Sequence, residues 1–172
     1  MEKKFELTDN FVINAFGIKL FQIKCTKSFK YANEGDLGGY VEKEDNLSQY
    51  GDAWVSGDAR VSGNARVSGN AWVSGDARVS GDAWVSGDAR VSGDARVENN
   101  HMHCGFDCFG SCNRHTHAYK TKGNKVEITC GCFRGNIEEF ERKVEETHSG
   151  TIYEKQYKAI INLIKIKFGI DG

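Results

Sequence analysis

Apolar and polar positions alternate along residues 51–98 with a period of two, nested inside a period of six. Eight consecutive hexads of the form Gly-[Asp/Asn]-Ala-[Arg/Trp]-Val-[Ser/Glu] run without insertion or deletion, with Gly51, Gly57, Gly63, Gly69, Gly75, Gly81, Gly87 and Gly93 in the first place. Ala, Arg or Trp, Val and Ser then fall alternately on two faces, as they do on a strand. Gly with Asp or Asn supplies the bend. A strand of about four residues followed by a tight corner, repeated without loops, describes one side of a β-solenoid coil. Valines such as Val55, Val61, Val67 and Val73 point inward beside the alanines, and the Ser and Arg or Trp positions point outward. A chain of antiparallel hairpins would need a reversing turn in every hexad and would leave the register of identical strands poorly specified.

The hexads resemble the hexapeptide pattern of left-handed β-helices, in which three hexads make one triangular coil. The resemblance implies left-handedness and three sides, so residues 18 apart stack on one face. One face then presents Trp54, Trp72 and Arg90, the second Arg60, Arg78 and Arg96, and the third Arg66 and Trp84. Coils about 4.8 Å apart would bring the three guanidinium groups of the second face to phosphates or carboxylates as forked donors. The plainer reading, and the favoured one, is that Asp58, Asp76 and Asp94 neutralise them. Trp54 and Trp72 form an outward apolar strip suited to stacking on a base or to burial in a subunit interface.

Each hexad buries one Val, worth about 1.5 to 3 kcal/mol, against about 1 to 2 kcal/mol of backbone entropy for every ordered residue. Coil-to-coil hydrogen bonds and caps must supply the difference, and open ends would expose strand edges. The chain is therefore expected to be mainly β: an N-terminal β cap (1–50), a hexapeptide β-solenoid (51–98) and a small α+β C-terminal cap (99–172). In the first segment, Phe5, Leu7, Leu20, Phe21 and Ile23 mark strands and Asn14-Ala15-Phe16-Gly17 a turn. In the last, Tyr119-Lys120-Thr121 and Val126-Glu127-Ile128-Thr129 flank a turn at Lys122-Gly123-Asn124. Asn136 caps a helix carrying Ile137, Phe140 and Val144, and a second helix from about Tyr153 to Phe168 carries Tyr157, Ile160, Ile161 and Ile164. Gly-Asp-Leu-Gly-Gly-Tyr-Val at 35–41, Asp-Asn-Leu-Ser-Gln at 45–49 and Gly-Asp-Ala-Trp-Val at 51–55 resemble hexapeptide-repeat proteins, mostly of unknown function, from phages, prophages and gut bacteria. Cys130-Gly131-Cys132-Phe133-Arg134-Gly135, followed by Glu139-Phe140 and Glu146-Thr147-His148, resembles a C-terminal module of phage proteins.

The 172 residues carry 23 Lys and Arg against 24 Asp and Glu, so net charge supplies no general attraction to nucleic acid or an anionic membrane. No apolar run reaches the roughly 18 to 20 residues of a membrane span, and Met1-Glu2-Lys3-Lys4-Phe5 lacks the apolar stretch of a signal peptide. The expected location is the bacterial cytoplasm, where six Cys stay reduced or bind metal. His101, His103, Cys104, Cys108, Cys112, His115 and His117 crowd one short stretch, with Cys130 and Cys132 after it. A zinc site drawing on Cys104, Cys108, Cys112, His115, Cys130 and Cys132 would stabilise a small cap, although Gly105 and Gly110 and the spacing fit no paired Cys motif. The same residues could instead fill a hairpin core.

Hexapeptide β-helices include acyltransferases that use a His beside a cleft between coils. This solenoid contains no His and no inserted loop, so it offers no general base there and an enzyme is not expected. The phage resemblance implies an accessory protein that sequesters a nucleotide immune signal or blocks a defence enzyme such as a nuclease. For a nucleotide, Arg60, Arg78 and Arg96 would hold phosphate and Trp54 and Trp72 the base. A closed homo-oligomer, trimer or dimer, would supply concave clefts. The alternatives are a self-assembling structural solenoid and a degenerate acyltransferase.

Overall fold

The computed structural model describes residues 2–170; Met1 and residues 171–172, the outermost positions of the expected caps, lie outside the described residues. The chain divides into two units, the first ending at Asn100 and the second beginning at His101.

The first unit is a β-solenoid. Each hexad contributes a two-residue strand: β4 (Trp54–Val55), β5 (Arg60–Val61), β6 (Arg66–Val67), β7 (Trp72–Val73), β8 (Arg78–Val79), β9 (Trp84–Val85), β10 (Arg90–Val91) and β11 (Arg96–Val97). Each strand from β4 to β8 pairs in parallel with the one 18 residues further on, Trp54 with Trp72, Arg60 with Arg78, Arg66 with Trp84, Trp72 with Arg90 and Arg78 with Arg96. Three sides result, and the three faces sort as the count of 18 requires. All the Ala and Val positions are buried. The corners need glycine: Gly69 has φ +66°, and a Cβ there would lie 2.9 Å from the backbone N of Gly87 in the next coil.

Ahead of these strands, β1 (Phe5–Ile13) and β2 (Lys19–Cys25) form a hairpin around Asn14, whose Oδ1 accepts from the backbone N of Phe16 and of Ile18. β2 pairs antiparallel with β3 (Leu37–Val41), and β3 pairs in parallel with β5, Tyr40 against Arg60 and Val41 against Val61. Leu47 bridges to Val67 on the next side. The stack therefore begins at Leu37, inside the segment expected to be a separate cap. Gly39-Tyr40-Val41-Glu42 repeats the order of Ala95-Arg96-Val97-Glu98, and Leu47-Ser48 repeats Val-Ser.

The entry end shows how the coil is closed. The carbonyls of the first Ala positions have no preceding hexad to bond, and each of the three sides answers differently. Ala59 O accepts from the backbone N of Tyr40 at 2.9 Å. Ala65 O accepts from Asn46 Nδ2 at 2.8 Å, and the same nitrogen donates to Gly63 O. Ala53 O accepts from Lys4 Nζ at 2.7 Å, and that ammonium also donates to Gly51 O. Burial pushes Lys4 down to about 8, with Asp52 opposing. At the exit, Asn100 Oδ1 accepts from the backbone N of Trp84 at 2.8 Å.

The second unit is a four-stranded antiparallel sheet with two helices on one face. β12 (His103–Phe109), β13 (Arg114–Lys120), β14 (Val126–Cys130) and β15 (Phe133–Gly135) pair in chain order. The expected hairpin is β13–β14; β12 and β15 extend it on either side. Asn136 caps α1 (Ile137–His148) through a reciprocal bond with Glu139, and Thr151 caps α2 (Ile152–Phe168). Ala118, Ile128 and Cys130 of the sheet pack against Phe140, Tyr157, Ile161 and Ile164 of the helices.

Asn46 is fully buried and holds two carbonyls, and its Oδ1 accepts from the backbone N of Lys43. Asn46→Ala is expected to destabilise the first unit by about 2 to 4 kcal/mol, because buried acceptors lose their donor. Asn64→Ala, at an exposed corner where Nδ2 donates to Asp82, is expected to change stability by no more than about 0.5 kcal/mol. Thermal unfolding by circular dichroism separates the two.

Candidate functional site

Three places hold chemistry: the two aromatic and arginine faces of the solenoid, and the Cys and His stretch of the second unit.

On the first face the indoles are covered. Trp54 is 2% exposed, with Phe29 set edge-on to it at 5.4 Å between ring centres. Tyr31 stacks on Trp72 at 5.5 Å, and the Arg90 guanidinium lies 5.7 Å from the Trp72 ring. Trp72 Nε1 donates to Ser56 Oγ at 2.8 Å. The strip expected to be open is thus occupied by residues 29–31 of the same chain, and Trp54 and Trp72 are not available to stack on a base. The exposed indole is Trp84, on the third face, 59% exposed, with Nε1 donating to Ser68 Oγ.

The second face is exposed at Arg78 and half-buried at Arg60 and Arg96. Arg60, Arg78 and Arg96 lie in register with Tyr40 at the upstream end, and Arg78 is exposed. The expected neutralisation takes a weaker form than ion pairing. Among the described residues no carboxylate lies within ion-pair distance of Arg60 or Arg78. Arg96 turns back to donate to the carbonyls of Asp76, Asp94 and Ala95. Its charged form is disfavoured by burial first and then by Arg78, with Asp94 and Asp76 opposing. The ladder is a row of like charges about 4.8 Å apart in which carboxylates act only at longer range.

In the second unit the residues expected to bind zinc do not converge on one site, although Cys112, Cys130 and Cys132 line one cavity. Alternation along β12 and β13 sends Cys104 to the helix side with Cys130, and His115 to the opposite side with His117. Cys108 and Cys112 are exposed, the first at a bulge with φ +63° and the second in the turn before β13. Among the described residues no group of three or more His, Cys, Asp or Glu is placed to hold a metal ion. Burial pushes the Cys104 thiol up to about 11, which disfavours the thiolate a metal needs.

The histidines instead form a chain along one sheet face. Asp107 Oδ1 bonds His115 Nδ1 at 2.5 Å, the His115 and His117 rings are 5.6 Å apart, and His117 Nε2 bonds His103 Nδ1 at 3.0 Å. Burial pushes His103 down to about 4, with Lys167 acting the same way. On the helix side, a cavity of about 310 Å³ is lined by Cys112, Arg114, Cys130, Cys132, Lys143 and Tyr157, among others. Tyr157 OH lies 3.7 Å from Cys130 Sγ, and burial followed by the neighbouring Cys130 raises its phenol.

Tyr40, Phe29 and Tyr31 were not candidates from the sequence. Tyr40 had a signal, since it occupies the Arg or Trp place of a hexad-like Gly-Tyr-Val-Glu. Phe29 and Tyr31 had none, because they lie outside any periodic segment.

A family model described as the YdcK beta solenoid repeat matches residues 59–75 and 71–87. Those matches fall on β5 to β9 and agree with the parallel three-sided stack. The chain is thus similar to a β-solenoid repeat family over part of its length. No curated protein matches it. No helix of the described residues is long and apolar enough to cross a membrane.

His103 gives this unit a pH dependence of known sign. Unfolded, it takes up a proton near pH 6.5; folded, it resists until about pH 4. Stability is therefore complete above pH 6.5, falls by up to about 1.4 kcal/mol per unit toward pH 4, and levels off below. Hydrogen exchange of the β12 and β13 amides, corrected for intrinsic rates, should lose protection over that window. The loss should shrink in His103→Gln.

Proposed function

We propose that this protein is a non-enzymatic binding protein whose solenoid holds the Arg60, Arg78 and Arg96 ladder against an anionic, phosphate-bearing ligand. The observation that carries this reading is the in-register row of guanidinium groups in which, among the described residues, no carboxylate is in ion-pair contact with Arg60 or Arg78. Guanidinium groups bind phosphate oxygens as forks, and such charge-assisted bonds are about twice as strong as neutral ones. Tyr40, next in the row, takes the stacking role expected of Trp54 and Trp72. A small nucleotide offers both phosphate and base to that combination. Within the phage-type reading, the protein acts in the bacterial cytoplasm by sequestering a nucleotide immune signal; blocking a defence nuclease is the variant in which a protein carries the anionic surface. A dimer or trimer would fold the flat face into a cleft.

The test is calorimetric titration of the full chain with inorganic triphosphate, mononucleotides and cyclic dinucleotides, each followed by analysis of the recovered ligand. Stoichiometric binding with the ligand intact is expected for one phosphate-bearing class. Arg60→Gln with Arg78→Gln should weaken it about tenfold or more, and added salt should weaken the wild type more than the variant. Equal binding by the variant overturns the ladder as the site, and conversion of the ligand overturns the non-enzymatic reading.

A further inference from the structure

The cavity of the second unit is lined by two exposed thiols, Cys112 and Cys132, together with one guanidinium, Arg114. Thr116 pairs with Cys130 across β13 and β14, and beyond that pair the chain turns at Gly131-Cys132 into β15, which brings the turn to Arg114 at the start of β13. Gly131 makes room for it: its φ is +61°, and a Cβ there would run into the Arg114 side chain. Arg114 is thereby laid against the Gly131 turn, with Cys112 and then Cys132 as the neighbours that most favour its charged form. Cys112 and Cys132 are both exposed, whereas Cys130 behind them is buried and accepts from Thr116 Oγ1 at 3.3 Å. The cavity lining contains Arg114, Lys143 and His148 and no Asp or Glu, and Phe133, Phe140 and Val144 form its apolar wall. Lys143 shares its charge with Glu146 at 3.5 Å, on the surface of α1.

We propose that this cavity is a thiol–disulfide exchange site for an anionic small-molecule disulfide of the glutathione type, with Cys132 as the attacking thiol and Cys112 as the resolving one. The carboxylates of such a reagent match Arg114 and Lys143. A cation beside the sulfur favours the charge that attack places there. In the first step the Cys132 thiolate attacks one sulfur of the reagent. The reagent's S–S bond breaks, a mixed disulfide forms, and one thiolate leaves with the electron pair. In the second step the Cys112 thiolate attacks the Cys132 sulfur and displaces the other reagent thiolate. The protein dithiol loses two electrons and two protons, and the reagent is reduced to two thiols.

The experiment uses the full chain and oxidised glutathione, read by peptide mass spectrometry. The wild type should gain a Cys112–Cys132 disulfide and retain no adduct. Cys112→Ser should keep one glutathionyl group on Cys132, and Cys132→Ser should react at neither step. Arg114→Gln should slow the first step about tenfold or more, and Arg114→Lys, which keeps the charge, should restore most of the rate. Cys108, exposed in the same unit, is the internal reference, and its labelling should not change between these variants. Labelling spread evenly over Cys108, Cys112 and Cys132 overturns the assignment, as does a Cys132 rate indifferent to the charge at position 114.

Discussion

Hydrogen bonding between residue i and its counterpart 18 positions later governs the first unit. The backbone N of Trp54, Arg60 and Arg66 donates to Ala71, Ala77 and Ala83 respectively, and the same step recurs through the stack. With strands of two residues, no single side-chain contact holds a coil in place. The repeat survives because each coil presents an identical row of donors and acceptors to an identical neighbour. This makes the ends expensive, since a carbonyl at a terminal coil is as polar as one in the middle but has lost its partner. Lys4, Tyr40 and Asn46 at the entry and Asn100 at the exit meet that need with whatever group the chain can deliver to each side.

The same constraint concentrates side-chain chemistry. Stacking at 18 places Gly on Gly and Val on Val, and on the second face Arg on Arg, so a fourth-position choice kept from coil to coil recurs about every 4.8 Å. For valine this builds a core. For tryptophan it builds an apolar strip too large to leave in water, and residues 29–31 cover it. For arginine it builds a field. The ladder's own repulsion acts on Arg96, whose charged form is disfavoured by Arg78 and Arg60 as well as by burial. A multivalent anion laid along the row would relieve that repulsion, so the proposed binding would have an electrostatic origin independent of any pocket.

The solenoid was legible because its information is periodic. Counting by 18 sorted Trp54 with Trp72 and Arg60 with Arg78 and Arg96, and the strand pairing follows that order. Helix caps at Asn136 and the apolar faces of both helices were legible for a similar reason, since capping and 3.6-residue spacing are local. What is not periodic was harder to see. The cover over Trp54 depends on Phe29, 25 residues away in a loop with no pattern of its own. The entry coil was hidden because Tyr40 and Leu47 keep the inward and outward order of a hexad but not its Gly-Asp-Ala letters.

The Cys and His stretch shows where density misleads. Neighbours along a strand point to opposite faces, so crowding in sequence divides into two sets in space. Cys104 and Cys130 join the core beneath the helices, His103, His115 and His117 line the other face, and the turns take Cys112 and Cys132. The grouping that matters joins residues from separate turns around Arg114, and Gly131 permits it by leaving room for that side chain. Its residues fall in two places in the sequence, Cys112-Asn113-Arg114 before β13 and the Gly131-Cys132 turn between β14 and β15, outside the β13 register. The β13–β14 hairpin was legible, but the approach of the Gly131-Cys132 turn to Arg114 was not, so the site belongs to tertiary structure while its residues belong to motifs.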